Sequence, residues 1–205
     1  MQSTSTLSAK PMWAFITNLG DTAVTVPLAL LTCGFLCAWR EVRLALGWGL
    51  AILGCAGVIA VLKLLLAACG HRLGVAGLLS PSGHSAMSAA VYGSLCLLIA
   101  NPSPPLVRTM VYTVGALLIA DIAASRVALR YHAPAEVAVG LIVGLVEVAV
   151  FRTILVKRPV TTLRVPWLVG AAAILVTLLY GTRWPAEQAL GNLAAALQLL
   201  LPWCR

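Results

Sequence analysis

Residues 80–100 read SPSGHSAMSAAVYGSLCLLIA, a polar beginning followed by a run of small and apolar residues. A helix that crosses a membrane needs about 20 predominantly apolar residues, so this stretch predicts a span over 82–100. Ser82 follows Pro81 and is suited to cap the helix. A serine, a glycine and a histidine therefore stand where the span begins, and such groups can hold an anion and move a proton.

The composition places the whole chain in a membrane. Of its 205 residues, 61% are hydrophobic and 10% are charged, and the mean hydropathy is +0.99, far outside the range of soluble domains. The net charge of +8 does not indicate nucleic-acid binding, because the basic residues are scattered at the ends of apolar runs and form no basic face. The six cysteines include no CxxC pair and no metal-ligand spacing, so we expect no metal site.

The rest of the chain divides into similar apolar runs. Besides 82–100, we expect membrane helices over about 22–39, 44–68, 106–125, 134–152 and 165–181. Short turns with proline or charge separate several of them, at 40–43, 101–105 and 157–164. The sequence therefore predicts an all-α polytopic membrane protein, a six-transmembrane-helix bundle that forms one integral membrane domain over residues 1–205.

The C-terminal tail, residues 185–205, has leucines at helical spacing. Four polar residues interrupt it: Glu187, Gln188, Asn192 and Gln198. We expect a C-terminal amphipathic helix that either lies on the membrane surface or packs against the bundle. The polar interruptions disfavour a seventh span.

The distribution of Lys and Arg between the loops predicts the orientation, because cytoplasmic loops carry an excess of both. One side carries seven: Arg40, Arg43, Arg108, Arg152, Lys157, Arg158 and Arg164. The other side carries six, and the bias becomes seven against three if Arg72, Arg126 and Arg130 belong to a site. Loops one, three and five are then cytoplasmic, and both termini with loops two and four face the opposite side.

The polar residues of the membrane helices and their loops collect on that opposite side. The layer contains Lys63, His71, Arg72, Ser82, His84, Ser125, Arg126, Arg130, His132 and Glu136. The helix start after Ser82 presents free N–H groups and the positive end of the helix dipole, which favour an anion. Gly83 lets a ligand approach the backbone closely. Lys63, Arg72 and Arg126 are placed to surround the same anion with positive charge.

The second informative stretch is SRVALRYHAPAE, residues 125–136. Pro134 suits the first turn of the fifth predicted helix. Glu136 lies in the same turn, four residues after His132, so its carboxylate can reach the imidazole. A nucleophilic or general-base imidazole needs such a partner, because the acid fixes the tautomer and stabilises the charged ring. His84 then serves as the partner acid that donates a proton.

Other polar residues near this layer have both a structural and a functional interpretation. Asp121 lies one turn before Ser125. It either pairs with Lys63 or Arg126 or serves as a structural hydrogen-bonding group. Arg130 either meets a headgroup or is a solvated loop charge. Ionisable residues at membrane depth are costly and tend to mark function, so we retain four residues as candidates for substrate binding or positioning: His71, Ser125, Arg130 and Asp121.

With these residues the chain resembles the membrane branch of the type 2 phosphatidic acid phosphatase (PAP2) superfamily. Family members carry three sequence blocks, K-x6-R-P, P-S-G-H and S-R-x5-H-x3-D. PSGH at 81–84 matches the second block in full. Residues 125–136 match the third block with Glu136 in place of the aspartate, which keeps the carboxylate but lengthens its reach.

The first block departs from the family pattern. Arg72 follows Lys63 after eight residues rather than six, and no proline comes next. Either Arg72 or His71 then fills the role of the arginine. The resemblance covers about 60–151 by motif. LGD at 19–21 is also similar to sequences of such proteins but is not specific.

The resemblance implies a phosphatase that uses no metal and no cofactor. In this interpretation His132 attacks phosphorus and forms a phosphohistidine, and Glu136 orients it. His84 protonates the leaving oxygen and later acts as the base for water. The resemblance assigns phosphate binding to Lys63, Arg72, Ser82, Gly83 and Arg126.

The expected partners are a lipid phosphate and the bilayer. The candidate substrates are polyprenyl diphosphate, phosphatidic acid, phosphatidylglycerol phosphate and a lipid A-like phosphate, in the inner membrane of a bacterium with the site on the periplasmic side. Two alternatives stay open: a lipid phosphotransferase with the same phosphoenzyme, and a catalytically silent lipid-binding or transport protein. The sequence does not specify an oligomeric state.

Overall fold

The computed structural model describes residues 4–73, 80–157 and 164–200. Within these residues the chain forms eight helices and no strand. In chain order they are α1 (Thr4–Leu19), α2 (Thr22–Ala38), α3 (Val42–Leu73), α4 (Gly83–Ala100), α5 (Pro105–Ala128), α6 (Pro134–Val156), α7 (Val165–Leu179) and α8 (Ala186–Leu200).

Five stretches of the described chain are long and apolar enough to cross a membrane: Lys10–Ala38, Val42–Ala68, Gly83–Ala100, Pro105–Ala128 and Pro134–Val156. The prediction of an all-α polytopic membrane protein is thereby confirmed. The count of six spans is not confirmed, because α7 has only 15 residues. At 1.5 Å per residue it reaches about 22 Å, and the hydrocarbon core is about 30 Å thick.

Helix α4 lies at the centre of the bundle and packs mainly against α5 and α6. Two thirds of it is buried (67%), against at most 44% of any other candidate span. Its buried residues are mostly alanine and serine. Small side chains let neighbouring helices approach closely, which is a common way for helices to associate in lipid.

Two glycines of α6 allow the closest approach to α4. A Cβ atom at Gly140 would clash with the main-chain carbonyl oxygen of Ser82, and one at Gly144 would come within 2.7 Å of the Cβ of Ala89. The two glycines are four residues apart and therefore lie on one helix face. This packing holds the beginning of α4, with the PSGH motif, against the beginning of α6, with Glu136.

The largest buried side chains pack toward the other end of the bundle. Trp48 is fully buried, and its Nε1 donates a hydrogen bond to the main-chain oxygen of Ala29 at 3.1 Å. Its ring packs edge-on against Phe151, with 5.3 Å between the ring centroids. A tryptophan is buried at low cost when its N–H has a partner, as here.

Two side-chain caps begin helices at the end of the bundle that carries the motifs. Asp21 caps α2, with its Oδ1 accepting a hydrogen bond from the amide of Ala23 at 2.8 Å. Ser82 caps α4 as predicted, and its Oγ accepts hydrogen bonds from the amide (3.4 Å) and the hydroxyl (2.9 Å) of Ser85. The caps fix where these helices begin and therefore where their first-turn residues lie.

The C-terminal tail packs against the bundle, because α8 contacts α3. This contact agrees with packing against the bundle, which is one of the two placements that the sequence leaves open. Leu190 of α8 lines a cavity with Ile59 and Lys63 of α3. Residues 201–205 of the tail, and most of the predicted turn at 157–164, lie outside the described residues.

Candidate active site

Side chains from separate segments meet around one cavity of about 330 Å³. The cavity lies where α2, α4 and α6 begin and where α1 and α5 end. It is lined by Thr17, Asn18, Asp21, His84, Arg126, Tyr131, His132, Arg183 and Trp184. His84, His132 and Arg126 therefore line the same cavity, which agrees with the prediction that they share a layer.

His132 and Glu136 form a close pair beside this cavity. The Nδ1 atom of His132 lies 2.9 Å from Oε2 of Glu136, and the two side chains are only 6% and 7% exposed. Because a carboxylate only accepts hydrogen bonds, Nδ1 is the donor in this pair, and in the neutral imidazole the lone pair is then on Nε2. The four-residue spacing on which the sequence prediction depends does produce the contact.

Glu136 also ties the two motif segments together. Its Oε1 accepts a hydrogen bond from the amide of Ser80 at 2.7 Å, and its Oε2 accepts one from the amide of Ala133 at 3.1 Å. Its main-chain oxygen accepts a third from the amide of Ser82 at 3.0 Å. The side chain of Glu136 thus contacts both the histidine and the segment before α4.

His84 has an acidic neighbour that sequence reasoning did not select. Its Nε2 lies 3.5 Å from Oδ2 of Asp21, with side chains 15% and 12% exposed. Asp21 is the last residue of the LGD stretch. That stretch was the available signal, but nothing in the sequence indicates that the beginnings of α2 and α4 meet.

Arg126 is buried and held on two sides. Its Nη1 donates a hydrogen bond to Oγ1 of Thr17 at 3.0 Å, and its guanidinium carbon lies 4.6 Å from the ring centroid of Tyr131. The main-chain oxygen of Arg126 accepts hydrogen bonds from the amides of Tyr131 and His132. The end of α5 therefore fixes the position of His132 relative to Arg126.

Lys63 and Gly83 lie side by side at a second, smaller cavity of about 150 Å³. A Cβ atom built on Gly83 would be 3.8 Å from Nζ of Lys63. The other walls of this cavity are mostly apolar and come from α2, α3, α4 and α8: Thr22, Val26, Ala56, Ile59, Ala60, Met87 and Leu190. His84 lines both cavities, so it stands between a polar and an apolar space.

The structure does not support the interpretation of Asp121 as a partner of Lys63 or Arg126. Asp121 is exposed on α5, and no ion pair joins it to either residue in the part of the chain that the structure describes. Five residues turn a helix by about 140°, so Asp121 and Arg126 point to different faces. Of the two interpretations that the sequence leaves open for Asp121, the structure therefore disfavours the pairing.

Two further candidates, Ser125 and Arg130, lie outside the cavity that the histidines line. The hydroxyl of Ser125 is buried and donates to the main-chain oxygen of Ile122 at 2.6 Å, within its own helix. Arg130 is exposed just after α5, with a φ of 58° in the left-handed region. Neither lines the 330 Å³ cavity.

The first sequence block lies partly outside the described residues. His71 and Arg72 belong to the last turn of α3, but their side chains are not described, so the choice between them stays a prediction. Arg183 and Trp184, which line the cavity from the segment between α7 and α8, were not selected from the sequence. Within the described ranges no cluster of three His, Cys, Asp or Glu residues could hold a metal ion.

Comparison with known proteins matches the PAP2 superfamily model to residues 71–159. The chain is also 33% identical over 193 residues to a Klebsiella pneumoniae protein described as "Uncharacterized 22.5 kDa protein in cps region". That similarity covers 90% of this chain and 91% of the relative. No solved structure matches the chain significantly.

Proposed function

We propose that this chain, which belongs to the PAP2 superfamily, is a membrane lipid phosphatase that acts through a phosphohistidine. The observation that carries the proposal is the 2.9 Å contact between His132 Nδ1 and Glu136 Oε2, beside a cavity that His84 and Arg126 also line. This arrangement supports four proposed roles: nucleophile for His132, orienting carboxylate for Glu136, proton donor for His84 and phosphate-binding cation for Arg126.

In the first step, Nε2 of His132 attacks the phosphorus atom, because Nδ1 is engaged by Glu136. The N–P bond forms while the bond from phosphorus to the lipid-side oxygen breaks, and His84 donates its proton to that oxygen. The carboxylate of Glu136 stabilises the positive charge that develops on the attacking ring. The lipid leaves as an alcohol or as a monophosphate.

In the second step, water attacks the phosphohistidine. His84, now neutral, takes a proton from the water as the new O–P bond forms and the N–P bond breaks. Inorganic phosphate leaves, and both histidines return to their starting states. One acid–base residue therefore serves both steps, and the reaction consumes only water.

The phosphate is held by positive charge and by N–H groups. Arg126 is buried and fixed by Thr17 and Tyr131, so its guanidinium is oriented before the substrate arrives. Lys63 lies beside Gly83, where the first turn of α4 contributes free amides and the positive end of its dipole. Such preorganised groups supply much of the catalysis in phosphoryl transfer. We assign Arg72 and Ser82 to the same role from the family blocks.

The substrate is a lipid phosphate monoester or diphosphate, because His84 stands between the polar and the apolar cavity. The phosphate then lies beside His84, between His132 and Lys63, and the first carbons of the lipid chain face Val26, Ile59 and Met87. The candidates are polyprenyl diphosphate, phosphatidic acid, phosphatidylglycerol phosphate and a lipid A-like phosphate.

The orientation proposed from the basic residues places the active site on the periplasmic side of a bacterial inner membrane. Arg183 beside the cavity and Lys157 after α6 are both exposed and lie at opposite ends of the bundle. In a background without the native cysteines, Arg183→Cys is expected to react with a membrane-impermeant maleimide on intact cells and Lys157→Cys is not. The reverse labelling pattern would invert the proposed orientation.

The proposed function is tested by phosphate release from a panel of lipid phosphates, in detergent with excess chelator, for wild type, His132→Ala and His132→Gln. We expect release by the wild type and none by either variant. When the substrate carries a radioactive label in the transferred phosphate, we expect the wild-type protein to be labelled after a rapid quench of the reaction.

Three other outcomes of this experiment would contradict the proposed function. Release that requires an added acceptor lipid would indicate a phosphotransferase. A folded wild type that binds lipid phosphates without turnover would indicate a binding or transport protein. Equal activity of the histidine variants would show that His132 is not the nucleophile.

A further inference from the structure

Asp21 faces the histidine that moves the proton. Its Oδ2 lies 3.5 Å from Nε2 of His84, and both side chains line the cavity that His132 lines. The two side chains are no more than 15% exposed. Charges interact more strongly where solvent is largely excluded, so this contact matters more than a similar one on the protein surface.

Asp21 is held in position by hydrogen bonds at the beginning of α2. Its Oδ1 is engaged by the amide of Ala23 at the beginning of α2, which leaves Oδ2 toward His84. The main-chain oxygen of Asp21 accepts hydrogen bonds from the hydroxyl of Thr25 (3.1 Å) and from the amides of Val24 and Thr25. A carboxylate is also favoured at a helix N-terminus. The residue therefore has a defined geometry toward the imidazole.

Among the described residues that line the two cavities with His84, the other charged or titratable groups are cationic or neutral. They are Lys63 from α3, Arg126 from α5, Tyr131 and His132 from the turn after α5, and Arg183 from the segment before α8. Among the described residues that line the 330 Å³ cavity, Asp21 is the acidic one. Cations gathered for a phosphate oppose a proton on a neighbouring imidazole, and a carboxylate counteracts them.

We propose that Asp21 is a positioning residue for His84, which orients the ring and stabilises its protonated form. The inference rests on the proposed function and adds a second histidine–carboxylate pair to it. In the first step the Nδ1–H bond of His84, on the nitrogen that does not face Asp21, breaks as the O–H bond of the leaving lipid forms. In the second step the same nitrogen takes a proton from water. Asp21 accepts no proton in either step.

The test is the pH dependence of kcat/KM for lipid phosphate hydrolysis, measured for wild type, Asp21→Asn and Asp21→Glu. Asparagine caps a helix as well as aspartate does and has nearly the same shape, so Asp21→Asn removes the charge alone. We expect the alkaline limb of its profile to move to lower pH by about one unit. The loss of activity is then about tenfold greater at alkaline than at acidic pH. Asp21→Glu restores a carboxylate and is expected to return the limb toward the wild-type position.

Controls separate this effect from a structural one. Thr25→Val removes a hydroxyl that bonds the main chain of Asp21 and leaves the carboxylate, so we expect an unshifted profile. Asp21→Ser, another good cap without charge, is expected to reproduce Asp21→Asn and guards against a folding defect peculiar to asparagine. Unfolding midpoints in detergent show that the proteins compared are folded.

The outcomes distinguish this inference from the proposed function. An active wild type whose alkaline limb coincides with that of Asp21→Asn overturns the role of Asp21 alone. A uniform loss of activity at every pH also overturns it, because a purely structural defect has that signature. A wild type that hydrolyses no lipid phosphate overturns the proposed function and this inference with it.

Discussion

The amide of Ser82 donates a hydrogen bond to the main-chain oxygen of Glu136 at 3.0 Å. This bond joins the beginnings of α4 and α6 directly. The side chain of Glu136 adds a second link, to the amide of Ser80 at 2.7 Å, across 56 residues of sequence. Because the same carboxylate contacts His132, one residue positions both the segment that precedes α4 and the histidine that we propose as the nucleophile.

Glu136→Gln tests the carboxylate that orients His132. The amide oxygen can still accept a hydrogen bond from Ser80, but the side chain no longer stabilises a charged imidazole and its NH₂ group can face Nδ1. We expect kcat to fall by a factor on the order of 10² to 10⁴ with a smaller change in KM. Steady-state phosphate release measures both constants.

Glu136→Asp is the matched variant, since it restores the family residue and keeps the charge. It is expected to retain more activity than Glu136→Gln, although its shorter side chain reaches less well toward both Ser80 and His132. A glutamine variant as active as wild type would remove the orienting role from Glu136.

The sequence predicts that His84, Arg126 and His132 share one layer, but the individual side-chain contacts that it predicts are local ones. The pair His132 and Glu136 depends on a four-residue spacing within one turn and the helix that follows it, and the structure shows that pair. The cap at Ser82 is equally local. Asp21 and His84 meet only because α2 and α4 pack together, and no short-range pattern indicates such a contact. Asp121 shows the converse, because it is close to Arg126 in sequence and yet points to a different face of the helix.

The helices themselves follow from hydrophobic length, and their packing does not. Apolar runs predict where spans lie, because every backbone polar group in lipid must be satisfied within a helix. The central place of α4 depends on small residues that meet glycines of α6, a match between Gly144 and Ala89 that is visible only in three dimensions. The proximity of Arg183 to the cavity likewise depends on how the chain returns after α7.

Gly144→Ala tests the close packing of α4 and α6. The added Cβ would lie 2.7 Å from the Cβ of Ala89 and also too near the backbone of α4. Overpacking of this kind costs about 1–3 kcal/mol, so we expect the free energy of unfolding to fall by that amount. Activity is expected to fall as well, because the same packing aligns Ser82 with Glu136. Titration with a denaturing detergent in mixed micelles measures the change in stability.

Gly170→Ala is the control for that substitution. Gly170 lies in α7, and a Cβ atom there would meet nothing within 4 Å. Its free energy of unfolding is expected to stay within about 0.5 kcal/mol of wild type. Equal effects of the two substitutions would mean that the α4–α6 contact is not limiting for stability.

Arg183→Ala tests whether the exposed side of the cavity contacts a second phosphate. Arg126 is buried within the cavity wall, whereas Arg183 is exposed and lines the same space. A diphosphate extends farther than a monophosphate and brings more negative charge toward Arg183. Since exposed charge pairs contribute up to about 1 kcal/mol, we expect KM for a lipid diphosphate to rise about three- to fivefold.

The effect of Arg183→Ala is measured with the monophosphate and the diphosphate of the same lipid alcohol. KM for the monophosphate is expected to change less than KM for the diphosphate, with kcat nearly constant for both. Arg164→Ala, at an exposed position before α7, is the control for loss of surface charge. Equal changes for the two substrates would assign Arg183 to general attraction of anions.

Glu147→Leu tests an acidic residue that the proposed reaction does not use. Glu147 is 5% exposed in α6, and its two carboxyl oxygens have no hydrogen-bond partner among the described residues. It lines a mostly apolar space of about 350 Å³ with residues of α3 and α6, among them Cys55 and Val143. An unsatisfied polar group in such surroundings is destabilising by about 1–3 kcal/mol. We therefore expect Glu147→Leu to raise the free energy of unfolding by a similar amount.

The activity of Glu147→Leu shows whether Glu147 affects only the stability of the protein. It follows Glu136 by 11 positions in the same helix, which corresponds to about 16 Å along the axis, so we expect unchanged kcat and KM for lipid phosphate hydrolysis. Glu147→Gln keeps a polar group in the same place and is expected to remain near the wild-type stability. If Glu147→Leu is stable but inactive, the carboxyl contributes to catalysis or to substrate passage from a distance, because lost folding can then no longer account for the lost activity.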